Sequence, residues 1–206
     1  MRTMRTIFAT CLFLGMTTGV ALAGGGSGAA AGGAAPAGGA APADKKPAPP
    51  PAMEMPKPAP EVDAMAKAMA GTWKCTGKVH MPGSTMDVTA NVTGKLDLDK
   101  MWIHETMTQT KAKQPYKFEA YMTFDAASKK WSRISVDNMG MWEKTSSDGP
   151  DASGVSTWTG DSGGMGMSAK TKTVHTKVGD KEFKLEGTMS MDGKTWNPSF
   201  EMDCKK

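Results

Sequence analysis

From Gly71 to Cys204 the chain alternates apolar and polar residues with a period of two, broken at short intervals by turn-forming residues. Trp73, Cys75, Val79 and Met81 alternate with Lys74, Thr76, Lys78 and His80. Met86, Val88, Ala90, Val92, Leu96 and Leu98 then alternate with Asp87, Thr89, Asn91, Thr93, Lys95 and Asp97. The same signal returns in Tyr116, Phe118, Ala120, Met122 and Phe124, and in Phe183, Leu185, Met189 and Met191. Turn chemistry separates these runs at Pro82-Gly83, Asp99-Lys100, Asp148-Gly149-Pro150, Gly163-Gly164, Gly179-Asp180 and Asp192-Gly193. About ten strands with no crossover helix imply an all-β antiparallel meander, which at this length closes into an up-and-down barrel and so removes its edges.

Ahead of the strands, Pro60 to Ala70 carries a proline and acidic residues at its start, helix formers after them and Gly71 as a stop. It reads as one short helix with Val62, Met65 and Met69 on one face, lying against the barrel as a lid or plug. Cys75 shares phase with Trp73 and Val79, and Cys204 shares phase with Phe200 and Met202. Both thiols therefore point to the same side of the first and last strands, and a closed barrel in an oxidising compartment joins them as a disulfide.

The N-terminal third is of another kind. Arg2 and Arg5, the apolar stretch Ile7 to Met16 and Ala21-Leu22-Ala23 make a secretory signal with cleavage expected after Ala23, so residues 1–23 are assigned to a signal peptide. Cys11 leaves with it, and its position inside the apolar run argues against a lipid anchor. Residues 24–60 are almost entirely Ala, Gly and Pro and lack the large apolar side chains that offset chain-ordering entropy, so a disordered tether is expected. Residues 61–206 form the folded domain. The net charge of +4 is carried mostly outside it: from Glu61 onward 20 Lys and Arg face 19 Asp and Glu. A nearly neutral domain with interspersed signs has no basic stripe for phosphates, which excludes nucleic acid as the expected partner. The expected location is periplasmic or secreted, with no integral membrane segment in the mature protein.

A short helix running into Gly71-Thr72-Trp73 resembles the opening of calycin barrels, the lipocalin-like superfamily. The segment Tyr121 to Gly140 is similar to the mid-barrel signature of a family of secreted bacterial proteins of unknown function, in which an aromatic-Asp-small-Lys-aromatic hairpin leads to Asp, small or polar residues and Met-Gly. The resemblance implies a fold; it carries over no activity and no catalytic residue.

Signatures of catalysis are missing. His80, His104 and His175 form no spaced metal-binding pair, no C-x-x-C exists, and neither a G-x-S-x-G elbow nor a phosphate-cradling glycine loop is present. A non-enzymatic role is expected. On the run Ala169, Thr171, Thr173, His175 the small and hydroxylated residues share a face, which directs His175 into the lumen. There it hydrogen-bonds a ligand, or coordinates haem iron as an inward histidine does in the nitrobindin branch of the calycins; the plainer alternative is a histidine satisfied by neighbouring threonine hydroxyls or exposed. Arg133 shares phase with Trp131, Ser135 and Asp137. If that side is the lumen, its guanidinium is a carboxylate clamp; if not, it is a surface arginine stacked on Trp131, and the rarity of buried unpaired arginine favours the surface version.

Methionine is abundant, with 19 residues in all, and M-x-M recurs at Met53/Met55, Met139/Met141, Met165/Met167 and Met189/Met191. That spacing puts two thioethers on one face of an extended chain and suits Cu(I), but it is also what a dry strand face gives when methionine replaces leucine. Core packing is the favoured account, with Met165 and Met167 the pair most apt to be loop-exposed and to hold metal. The expected function is a lipocalin-like protein binding a small hydrophobic or amphipathic molecule in its lumen, lined by Trp102, Arg133, Trp158 and His175, without a cofactor. The alternatives are a copper- or haem-binding protein and a solid barrel serving as an envelope interaction module.

Overall fold

The computed structural model describes residues 55–206. The expected signal peptide, and the expected tether as far as residue 54, lie outside the described residues. After a single helix, α1 (Pro60–Met69), come ten strands: β1 (Gly71–Met81), β2 (Ser84–Asp97), β3 (Trp102–Gln109), β4 (Lys117–Asp125), β5 (Lys130–Asp137), β6 (Trp142–Ser147), β7 (Val155–Gly164), β8 (Met167–Gly179), β9 (Glu182–Ser190) and β10 (Asn197–Lys205). Each pairs antiparallel with its sequence neighbours, and β1 pairs with β10, so the sheet closes on itself. None of the ten described strands is left with an open edge, the outcome the alternation pointed to.

The seam between β1 and β10 sets Cys75 opposite Cys204, and the two form a disulfide across 129 residues. On the chain-entropy treatment a loop of that size stabilises by at most about 4–5 kcal/mol. Gly77, paired with Met202 in the same seam, lies so close to β10 that a Cβ there would collide with the backbone carbonyl of Glu201.

Helix α1 has proline in its first turn, Glu61 and Asp63 near its N-terminus and Lys67 in its last turn, all favourable to the helix dipole. It buries Val62 and Ala66 against Ile103, Met122, Trp131 and Trp158, with Met65 and Met69 at the margin. The Trp73 indole N–H donates to the Met69 carbonyl at 3.0 Å, satisfying one of the last carbonyls of the helix. Since α1 leads directly into β1, it closes the end of the barrel at which β1 begins. The turns β1–β2, β3–β4, β5–β6, β7–β8 and β9–β10 all lie at the other end. A second apolar cluster of Trp73, Cys75, Val88, Ala90, Val92, Met107, Met202 and Cys204 lines the wall formed by β10, β1, β2 and β3.

The alternation breaks down near strand ends: Met81, Met86, Leu98, Met189 and Met191, expected on dry faces, are exposed, and each lies within two residues of where a strand begins or stops. Among the described residues no helix is long and apolar enough to cross a membrane.

Candidate functional site

The lumen is apolar near α1 and polar at mid-height. Arg133 on β5 points inward, which corrects the surface placement favoured from sequence. The penalty that argued against burial is met by pairing: its Nη1 donates to Glu143 Oε1 at 2.9 Å, and Nε and Nη2 both donate to Glu105 Oε2 at 3.3 Å. Side-chain exposures of 14 % for Arg133, 10 % for Glu105 and 22 % for Glu143 place this triad well inside. The guanidinium lies 5.3 Å from the centre of the Phe118 ring rather than over Trp131. Thr171 Oγ1 donates to the second oxygen of Glu143 at 3.0 Å. Towards the far end, the Tyr116 hydroxyl donates to Asp137 Oδ2 at 3.0 Å. Burial, and next the Asp137 charge, push the Tyr116 hydroxyl well above the ordinary phenol value.

Glu105 and Glu143 are the functional side chains that sequence reasoning missed. Glu105 carried a usable signal, since it stands between Ile103 and Met107 on the dry phase of β3. An acid on a dry phase needs a buried cation, and Arg133 was the candidate. Glu143 carried none, because its neighbours in phase are not uniformly apolar.

The register around the wall runs Arg133 to Thr145, Thr145 to Gly160 and Gly160 to Thr171, with Trp158 opposite Thr173 and His175 opposite Ser156. Thr145, Trp158 and His175 thus share one inner patch on β6, β7 and β8. Trp158 Nε1 and Thr145 Oγ1 are buried and have no hydrogen-bond partner among the described residues. The His175 ring makes no hydrogen bond among the described residues, and its centre is 6.1 Å from that of Trp158. Burial first, and then the positive charge of Arg133, lower the His175 pKa to about 3, so the ring is neutral at physiological pH. By surface area the ring is only half-buried, which leaves it facing the lumen rather than sealed in the wall. The threonine partners suggested for His175 do not bond it.

Trp102 does not join this group. Ile103, Glu105 and Met107 take the inner face of β3, so Trp102 and His104 face outward. Trp102 meets Tyr121 edge-on at 6.5 Å and borders a shallow outer hollow with Leu98, Met101 and the chain at Met55 and Pro56. His104 stacks on Tyr121 at 4.6 Å and approaches Glu119 at 3.3 Å. Its Nδ1 is 3.7 Å from Asp97, beyond hydrogen-bond length, and is left without a partner. Met165 and Met167 are exposed at the far end, at 65 % and 50 %. Among the described residues no group of three or more His, Cys, Asp and Glu is placed to hold a metal ion.

Comparison with known proteins bears on the fold and the family. The crystal structure of Rv2717c from M. tuberculosis is similar with a TM-score of 0.59 at 12% identity, over 73% of this chain and 99% of that one. At that identity the likeness is one of architecture. No curated protein matches. Residues 57–206 match the family described as "Protein of unknown function (DUF1579)", which covers the whole barrel and α1. The chain therefore belongs to the DUF1579 family.

Proposed function

We propose that this protein is an exported binding protein that holds a small amphipathic molecule in the barrel lumen. The observation that carries the reading is the set of unmet polar groups on one inner patch: Trp158 Nε1 and Thr145 Oγ1 without partners, beside a neutral His175 free of hydrogen bonds. Buried donors are almost always satisfied, and each one left unmet costs about 1–3 kcal/mol. A ligand bringing a hydrogen-bond acceptor to this patch removes that cost, while Leu185, Phe118 and Met202 give its apolar part a wall. Arg133 is not a free carboxylate clamp, since Glu105 and Glu143 already take its donors. With Glu105, Glu143 and Asp137 against one guanidinium, the formal charge of the interior disfavours an anion. The ligand is uncharged or cationic.

Export is supported by Arg2, Arg5, Ile7 to Met16 and Ala21-Leu22-Ala23 in the sequence, and by a disulfide that suits an oxidising compartment. The patch offers binding groups, and we assign it no reaction.

Titration of the purified domain with 6-propionyl-2-dimethylaminonaphthalene, an uncharged amphipath whose ketone oxygen can accept from Trp158 Nε1–H, tests the reading. Saturable emission enhancement that weakens about tenfold in Trp158→Phe is expected, the loss of roughly one hydrogen bond. No saturable change would remove the reading. A second one, haem held through His175, is supported by the same neutral imidazole, which fits an axial ligand because its lone pair is free. It requires a Soret shift on haem addition that is absent in His175→Ala.

A further inference from the structure

Core packing, the favoured account of the methionine excess, explains only part of it. Met107, Met122 and Met202 are buried, but Met139, Met165 and Met167 are 59 %, 65 % and 50 % exposed. Together with half-buried Met141 they occupy two turns that touch. Gly164, next to the β7–β8 turn, pairs with Met167 on one side. On its other side it is in contact with Met141, whose Sδ lies 2.9 Å from where a Gly164 Cβ would stand. Met141 and Met167 thus flank Gly164, with no side chain there to separate them.

Both turns are held in shape. Asp137 Oδ1 accepts from the backbone N–H of Met139 and of Met141, each at 2.9 Å, while Asp137 Oδ2 is fixed by Tyr116. The β7–β8 turn has Met165 at φ 51° and Gly166 at φ 79°. Two central residues at positive φ make the hairpin turn that favours Asn or Asp followed by Gly. Methionine has no local hydrogen bond to offer at such a position and is strained there by about 1 kcal/mol. Neither burial nor turn chemistry accounts for Met165.

We propose that the β5–β6 and β7–β8 turns form a soft-metal site binding one Cu(I) through the thioethers of Met141, Met165 and Met167, with Met139 completing the set. Thioethers select Cu(I) over harder ions, and methionine's three rotatable bonds let sulfurs on adjacent turns converge on one ion. The site lies at the far rim, and the proposal stands or falls independently of lumen binding.

The test is anaerobic Cu(I) titration of the chain from residue 24 onward against a chromogenic Cu(I) chelator. Its two cysteines are joined as a disulfide and contribute no free thiol. One equivalent should bind, with affinity unchanged between pH 5 and 8 because thioethers carry no titrating proton. Met141→Leu/Met167→Leu should weaken binding at least tenfold, and Met81→Leu/Met86→Leu, an exposed pair on the β1–β2 hairpin, should leave it unchanged. Methionine-methyl NMR with Ag(I) gives a readout that needs no variant: the resonances of Met139, Met141, Met165 and Met167 should move and those of Met81 and Met86 should not. Absence of binding, equal weakening in both double variants, a steep pH dependence that places the metal on histidine, or Ag(I) shifts spread over all exposed methionines would each overturn the proposal.

Discussion

His175 combines an inward position with a pKa of about 3, caused first by burial and then by Arg133. An unfolded chain restores the ordinary value near 6.5, so as the pH falls the unfolded state takes up the proton first. The stabilising effect of a neutral His175 is complete above about pH 6.5 and is lost progressively as the pH falls towards 3. The slope cannot exceed about 1.4 kcal/mol per pH unit for one proton, and contact with the lumen keeps it below that limit. In urea melts from pH 7 to 4.5, His175→Phe should lose less stability than the wild type. Equal losses would show that the ring does not titrate in this way. Arg133 makes the complementary case. Arg133→Met should cost about 3 kcal/mol or more, because two carboxylates are left buried without their cation. Converting Glu105 and Glu143 to Gln in the same chain should recover most of that loss. Period-two phase leaves Arg133 open between lumen and surface, and the surface version that the rarity of buried unpaired arginine favours is wrong, because the deciding partner, Glu105, lies 28 residues away on another strand.

Helix α1 shows what single elements owe to the barrel. Its composition announced a helix and its apolar positions announced a contact, yet which barrel end it closes depends on the burial of Ile103, Met122, Trp131 and Trp158. Val62 is 1% exposed at the centre of that contact. Val62→Asp forces either a buried charge or release of the helix. Release is the cheaper outcome, so tryptophan emission should shift to longer wavelength and cleavage in residues 55–70 by a nonspecific protease should accelerate, with the far-ultraviolet strand signal retained. Unchanged emission would mean that α1 does not cover Trp131 and Trp158. The strands behaved differently from one another. Alternation identifies inner and outer faces along β4 and most of β1, but it does not decide β3, whose Trp102 faces outward, and it misjudges Met81, Met86, Leu98, Met189 and Met191, since sequence phase reports a residue's face and not its burial near a strand end.

At the scale of the whole molecule, closure is the property most fully legible in the sequence. Ten strand signals, no crossover and two cysteines in matching phase on the outer strands leave few topologies besides the ring observed. The cross-link should matter in proportion: Cys75→Ser/Cys204→Ser should lower unfolding free energy by about 2–5 kcal/mol while leaving the strand content intact. The interior chemistry was far less legible, because it is assembled from side chains that meet only once the sheet has closed. Its purpose is tested most directly by native mass spectrometry of protein taken from its own source without refolding. A barrel carrying a small uncharged or cationic adduct that is lost in Trp158→Phe is expected. A protein that emerges only at its bare mass, and whose lumen accepts no amphipath added in excess, would contradict it.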